Sequence, residues 1–542
     1  MPKPSKQQQM SFIKKLYYSL ATNRILPLIL FLLTVVSGIF VVFSLSIGIN
    51  HYDLYDYVEG VFWAEATLRS HSLINPDYVY FYLVPFGSNI IMAPFVRLFG
   101  VGFLANQLGM LVYFILYLAV VYFLACALYP NTRQQLLFCT IVSLFVYTYI
   151  GDNLLHHLLS YGIGFLCFMG ELSCLIRIRN GKKGLAWVLL IVFVLWSSAN
   201  GIVTVALSGG PVLLAFIIDQ YFRNSLSEKR NLRLICTIAA TTVIGLLLYR
   251  YIDHLANSLN MYKYRFMLAD PDELVTHITH DFFADYLRLF SYNPNKDFLF
   301  NLKGLYALCK LAFAIVMAAL PIFLWKTNKK TTDMFADNDT SLILLASSLV
   351  ILVCIGQYIL FYETSLRYLF NGVLALFLIA AVLFEKLTDQ NLKRLGMILL
   401  TIAVCLFSFK TVVYPTPYGK NRIAGLENIS EILTENGLSY GYVTYRHYKV
   451  LEIVSAGQQR NAVISYDEDA GRYCVDYDRI YLEELKKPAG IDKFYILKHT
   501  EFDETLPEDV LLEETCTSKI DLGYETIYIF PMEDWEKVMA EK

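Results

Sequence analysis

The sequence predicts an all-α polytopic membrane body followed by a small C-terminal α/β domain. Three observations predict it. Hydrophobic residues fill 56% of the 542 positions and charged residues only 17%, against about 25% charged in a soluble domain. The apolar residues gather into eleven windows, near 26–48, 105–128, 135–150, 158–176, 184–198, 201–219, 234–250, 302–325, 341–361, 368–384 and 395–413. A helix needs about 20 such residues to cross a bilayer. Beyond 424 the pattern changes to short β-branched and aromatic runs among charges. A formal net charge of −2 lacks the basic footprint of a nucleic-acid binder.

The first window has no small-residue cleavage site and outruns a signal-peptide core, so it reads as a span. Lys and Arg in short loops set the orientation. With a cytoplasmic N-terminus, the inner segments carry 20 Lys and Arg in 78 residues, and the outer segments carry 7 in 124. The expected placement is an integral plasma-membrane protein whose C-terminal domain, after an odd number of spans, lies outside the cytoplasm. Residues 89–104, NIIMAPFVRLFGVGFL, include Pro94, Arg97 and two glycines. A span there would turn the basic run RIRNGKK outward. The segment therefore reads as an interfacial or re-entrant helix.

Three regions follow. Residues 1–413 are the membrane body, with outer loops 49–104 and 251–301 forming a cap. Residues 414–424, YPTPYGKNRIA, are a linker, because two prolines and a glycine break regular structure. Residues 425–542 are the extracytoplasmic domain. In it LENISEILTENG reads as a helix ending at Gly437, and YGYVTYRHY, AVISY, KFYILKH and ETIYIF read as strands. From 414 onward, 25 Asp and Glu outnumber 14 Lys and Arg, which disfavours docking on anionic lipid. Eight of the ten cysteines lie in predicted spans, and no CxxC occurs. Cys474 and Cys516 leave a disulfide open in the tail.

The first outer loop is acidic at its start. Asp53, Asp56, Glu59 and Glu65 follow the first window. On a helix over 53–68, Asp53 and Asp56 share a face that Glu59 continues. Stacked carboxylates repel unless a cation or a chemical use offsets them. The chemical use is a general base that takes the proton of an acceptor hydroxyl. The plain alternative is a solvated acidic helix.

Other groups converge on the same outer side. In FYETSLRYLFNGVLALFLIAA, 361–381, Arg367 can hold a phosphate bidentately, Tyr368 suits the membrane interface, and Glu363 can orient Arg367. Arg367 can equally snorkel. Asp152, His156 and His157 sit in the outer turn GDNLLHH. Donor-phosphate or acceptor contact is one reading, and a wet helix end is the other. Asp77 and Glu59 complete the candidate substrate contacts. His277, His280 and Asp281 in HITHD share a helical face at a metal-ligand spacing, while ADPDELVTHITHD also reads as an amphipathic helix with an acidic first turn. Glu171 and Lys310 lie near span ends, and Glu171 reads as snorkelling toward the inner basic run. SGGP, 208–211, should break a helix.

The string YDLYDYVEGVFWAEATLRSHSLINPDY, followed by VPFGSNIIMAPFVRLFG, resembles the GT-C glycosyltransferases. These include the protein mannosyltransferases and the aminoarabinose transferases. In this chain the acids are separated, and VPFGSN stands where the mannosyltransferases carry His-Pro-Pro-Leu. The Arg-Tyr pair at a late outer span mouth resembles a second GT-C feature. The resemblance implies a GT-C-like body and an outer-face, inverting transfer of sugar from a polyprenyl-phosphate donor. The acceptor would be an envelope glycan, lipid or protein. It implies a first-loop base, Asp56 ahead of Asp53, and a donor phosphate held by Arg367 and Tyr368 with His156 and His157. No cofactor is expected, although some GT-C enzymes use a divalent cation. A transporter or lipid flippase, which would need repeats and paired broken helices, and a non-catalytic envelope assembly protein are the alternatives.

Overall fold

The computed structural model describes residues 25–44, 54–80, 83–156, 160–182, 184–258, 267–293, 302–327, 337–362, 365–413, 422–444, 449–476, 480–499 and 507–540. The body comprises α1 (Leu26–Ser44), α2 (Leu54–Ser70), α3 (Ser88–Phe99), α4 (Phe103–Leu128), α5 (Thr132–Val142), α6 (Tyr149–His156), α7 (Ser160–Arg179), α8 (Leu185–Ser198), α9 (Ile202–Leu207), α10 (Gly209–Phe222), α11 (Lys229–Leu255), α12 (Pro271–Thr276), α13 (Phe282–Leu289), α14 (Leu302–Thr327), α15 (Asn338–Leu360), α16 (Phe370–Glu385) and α17 (Gln390–Ser408). Each predicted apolar window falls on a helix or a helix pair.

By length and composition, eight helical segments among the described residues can cross a membrane, and one bent pair would make a ninth. The remaining windows fall short for visible reasons. Helix α7 carries Glu171, Arg177 and Arg179, and α8 has 14 residues. Helix α3, the apolar segment of the first loop, has 12 residues with Pro94 inside. At 1.5 Å per residue it reaches about 18 Å, well short of a bilayer core. It packs between α2 and α4.

Helix α1 shows how sequence builds a lipid-facing span. Ile29, Leu32 and Val36 are exposed on one face, whereas Leu30, Thr34, Ser37 and Val41 are buried on the other. The Thr34 and Ser37 hydroxyls donate to the carbonyls of Leu30 and Leu33, which hides them from apolar surroundings. Ser37 also reaches Ser408 of α17 at 3.1 Å, and Tyr147 lies 2.7 Å from the same Ser408 hydroxyl.

Two helix breaks shape the interior. The SGGP break separates α9 from α10. Glu171 does not snorkel, which corrects the expectation. It is fully buried, accepts a hydrogen bond from Ser197 Oγ at 3.1 Å, and lies beside Gly209, the first residue of α10. The break exposes backbone N–H groups at the α10 N-terminus, and these favour an acid there over the aqueous edge.

The second break separates α5 from α6. A 3₁₀ turn over Ser143–Tyr147 and an extended Thr148 turn the chain by 90°. Thr148 closes the turn by donating from its hydroxyl and its N–H to the Phe145 carbonyl. A Cβ at Gly151 would lie 2.5 Å from the Phe145 oxygen, so only glycine lets α6 fold back this closely.

The tail comprises helix α18 (Arg422–Glu435), shorter helices over Leu451–Val454, Pro507–Thr515 and Trp535–Val538, and a seven-stranded sheet. Two short strands in the body, β1 (Val79–Tyr80) and β2 (Asn257–Ser258), precede it. The sheet strands are β3 (Tyr440–Val443), β4 (Arg460–Asp467), β5 (Arg472–Val475), β6 (Lys493–His499), β7 (Ser518–Asp521), β8 (Glu525–Pro531) and β9 (Met539–Ala540), in the order β7-β8-β6-β3-β4-β5-β9. Strand β3 is parallel to both β4 and β6, and β8 and β5 add antiparallel flanks. Phe494 stacks on Phe530 at 5.0 Å, and Trp535 Nε1 donates to the Tyr442 hydroxyl. Cys474 and Cys516 are free thiols. One lies on β5 and the other beside β7, about 24 Å apart across five strand spacings, so no disulfide can join them.

The first and second long loops and the tail are knitted together. Strand β1 of the first loop pairs with β2 at the start of the second. The first loop also pairs with the tail through the Val79 N–H to the Ile480 carbonyl and the Leu482 N–H to the Asp77 carbonyl, both at 2.8 Å.

Candidate functional site

The 90° turn between α5 and α6 opens a cavity of about 190 Å³, bounded by Ser44 at the end of α1, Tyr147, Thr148, Tyr149 and Asp152, Ser291 after α13, Tyr306 and Lys310 of α14, and Lys410 and Thr411. The last two lining residues lie in a π-helical turn, Phe409–Val413, that ends α17. The wider turn rotates the chain relative to an α-helix and places Lys410 on the cavity wall.

Two ammonium groups meet here. Lys310 Nζ lies 5.1 Å and Lys410 Nζ 5.8 Å from the centroid of the Tyr306 ring. The negative face of that ring favours both cations. Asp152 supplies one carboxylate, so the named charged side chains on the wall sum to positive. Such a wall suits an anion that can take several N–H donors, as a phosphate does. Ser291 is left-handed at φ 62°, a conformation that costs a non-glycine residue energy and recurs where a site dictates the backbone.

Among the sequence candidates, Asp152 and Lys310 line this cavity. Arg367 and Tyr368 do not. They lie in a 3₁₀ turn, Leu366–Leu369, with Arg367 half-buried and Tyr368 buried. That turn leads into α16, whose Phe370 ring sits 6.4 Å from Tyr149 of the cavity wall. Asp56 lies in the first turns of α2, a helix that packs against α6. Asp53, His157 and Glu363 lie outside the described residues, as do the side chains of Asp56 and His156.

Glu59, a candidate substrate contact, is buried at 1% exposure. Asp77 is exposed but belongs to the seam with the tail, where its carbonyl accepts the Leu482 N–H. HITHD is a π-helical turn, so the α-helical face drawn through it does not form. His277 is buried with Nδ1 3.2 Å from the Ile359 carbonyl, whereas His280 points outward and pairs with Asp281. No cluster of three or more His, Cys, Asp and Glu side chains suited to a metal occurs among the described residues.

Lys410 was not singled out in the sequence. Its signal is a lone lysine in the last turn of the last apolar window, the same kind of feature that drew attention to Lys310.

No family model matches the chain, and no curated protein matches it. Solved structures do. ArnT from Cupriavidus metallidurans bound to undecaprenyl phosphate aligns with a TM-score of 0.51 at 12% identity, over 93% of this chain and 97% of that one. The apo state of the same protein aligns with a TM-score of 0.52 at 11% identity, over 88% and 93%. The arabinofuranosyltransferase AftD from Mycobacteria aligns at 14% identity over 93% of this chain and 40% of that one. Its TM-score is 0.49. The two ArnT alignments run through body and tail alike, and the chain has a GT-C-like fold.

Proposed function

We propose that this GT-C-fold chain is a membrane glycosyltransferase that moves a sugar from a polyprenyl-phosphate donor to a cell-envelope acceptor. The observation that carries the reading is the pair Lys310 and Lys410 about one tyrosine ring in a cavity at a bent helix. The fold supports it, because the ArnT structure of the same architecture holds undecaprenyl phosphate.

In the proposed step the acceptor hydroxyl attacks the anomeric carbon as the bond to the phosphate oxygen breaks. A first-loop aspartate, Asp56 ahead of Asp53, takes the hydroxyl proton. The electron pair of the broken bond stays on the phosphate, and the two ammonium groups stabilise that growing charge. Arg367, Tyr368, His156 and His157 are second-rank donor contacts. Asp152 sits where it can orient a lysine or the donor. A single displacement inverts the anomeric centre.

We propose that residues 1–413 form the membrane body and that the tail, from α18 onward, lies on the outer face with the N-terminus in the cytoplasm. A cysteine at Asn180 should then label only from the cytoplasm and one at Ala470 only from outside. Both positions are exposed. Outward labelling at 180 would contradict this orientation.

The functional test is transfer of labelled sugar from polyprenyl-phosphate sugar to envelope extract by purified protein in nanodiscs. Lipid binding without any transfer would favour a flippase or a non-catalytic assembly protein.

A further inference from the structure

The first-loop helix α2 is held from above by the tail. Glu65 Oε1 of α2 accepts from Arg460 Nη2, at the start of β4, at 2.5 Å. Arg69, one turn on, also bonds Glu65 and places its guanidinium 4.2 Å from the centre of the Tyr481 ring. Lys449 of the tail lies 5.6 Å from the Phe62 ring of α2 and pairs with Glu452 at 2.8 Å. The Glu65 side chain is only 12% exposed, so removing Arg460 leaves Arg69 to offset a carboxylate largely cut off from water.

We propose that the C-terminal domain is a clamp that sets the pose of helix α2, with Arg460 as its positioning residue. Three features argue for a built junction over casual contact. Body and tail exchange backbone hydrogen bonds on both sides of Tyr78 and Tyr481. Aromatic rings run edge-to-face from Trp63 of α2 through Tyr80 and Tyr78 to Tyr481 of the tail, at 5.8, 5.0 and 5.0 Å. The Glu65–Arg460 pair then fixes the rotation of α2, because a charge-assisted bond is directional. The consequence for chemistry rests on the proposed transfer reaction, since α2 carries Asp56 in its first turns. The clamp itself does not depend on it.

The test is hydrogen exchange of peptides covering Leu54–Ser70 in the full-length protein in nanodiscs, for Glu65→Gln, Arg460→Gln and the double variant. Each single change should speed exchange of α2 about tenfold as local opening becomes easier. The double should add little to either single, the mark of one shared interaction. Arg460→Lys should restore part of the protection. Exchange in Phe370–Glu385 should stay at its starting value. Wild-type exchange in the single variants, additive effects, or a rise that spreads to Phe370–Glu385 would each overturn the clamp. Should the charge variants fail to fold, cysteines at 65 and 460 bridged by a short bis-maleimide should slow exchange of α2, and an unbridged or unprotected helix overturns the proposal. In the transfer assay Arg460→Gln should lower kcat with donor KM unchanged. Fast exchange with unchanged kcat overturns the positioning role. A wild type that transfers nothing counts against the proposed function, and the exchange result still decides the clamp.

Discussion

Lys310 and Lys410 come from different helices, yet their ammonium groups lie 5.1 Å and 5.8 Å from the centre of one ring, that of Tyr306. Two like charges that share a neighbour repel each other. A bound phosphate would relieve that repulsion, with one negative charge in the donor and a second developing as the sugar leaves.

Lys310→Ala and Lys410→Ala should each weaken use of a polyprenyl-phosphate donor by about 10- to 100-fold, the range of a charge-assisted hydrogen bond worth about 1.5–3 kcal/mol. Single-turnover transfer across a donor titration reads this directly. Wild-type donor dependence in both variants would remove the lysines from the site.

Asp56→Asn keeps size and hydrogen bonding but cannot accept a proton. Transfer should fall by about 10²–10⁴-fold, the usual range for loss of a general base, with Asp53→Asn the fallback. Thermal stability of the variant should match wild type. Full activity in both Asn variants excludes the assignment. Glu65→Gln, which would be silent were Glu65 a free loop acid, should instead loosen the junction with Arg460.

Gly151→Ala would force a Cβ to 2.5 Å from the Phe145 carbonyl oxygen. Overpacking of this kind costs about 1–3 kcal/mol. The turn between α5 and α6 should open, lowering the unfolding temperature and separating Asp152 from the lysines. Wild-type stability and donor affinity in Gly151→Ala would show that the turn tolerates the methyl.

Glu484 gives a pH signature. Burial pushes its carboxyl above its ordinary value of 4.5, although Lys449 opposes the shift. A raised native value means stability that is fully present below about 4.5 and lost as pH rises through that raised value. Lys449 is also raised, so its own contribution changes only above 10.5. The unfolding temperature of Glu484→Gln relative to wild type should therefore climb from pH near 4.5 toward neutrality. A difference that is flat, or that shrinks with pH, would contradict the assignment.

Much of the architecture was legible because it follows from local pattern. Apolar runs with no charge can hide their backbone polar groups only as helices in a membrane, so every window fell on a helix. Four of the seven tail strands were readable from β-branched and aromatic runs, whereas β5, β7 and β9 were not; the helix ending before the left-handed Gly437 was readable from that glycine, although it begins at Arg422, inside the expected linker. SGGP announced its break because glycine and proline act on their own backbone.

What the sequence did not reveal is where distant side chains meet. Glu171 read as snorkelling because a basic run follows it in the chain, but helix α10 begins beside it and buries it. Lys410 was not singled out, because it takes a π-turn and the 90° bend to bring it to Tyr306. Arg460 carried no signal, since its partner Glu65 lies 395 residues away. Helix and strand propensities are set by neighbours a few residues apart. A site or a domain junction is set by the packing of whole elements, and one bent helix here decides which charges share a cavity.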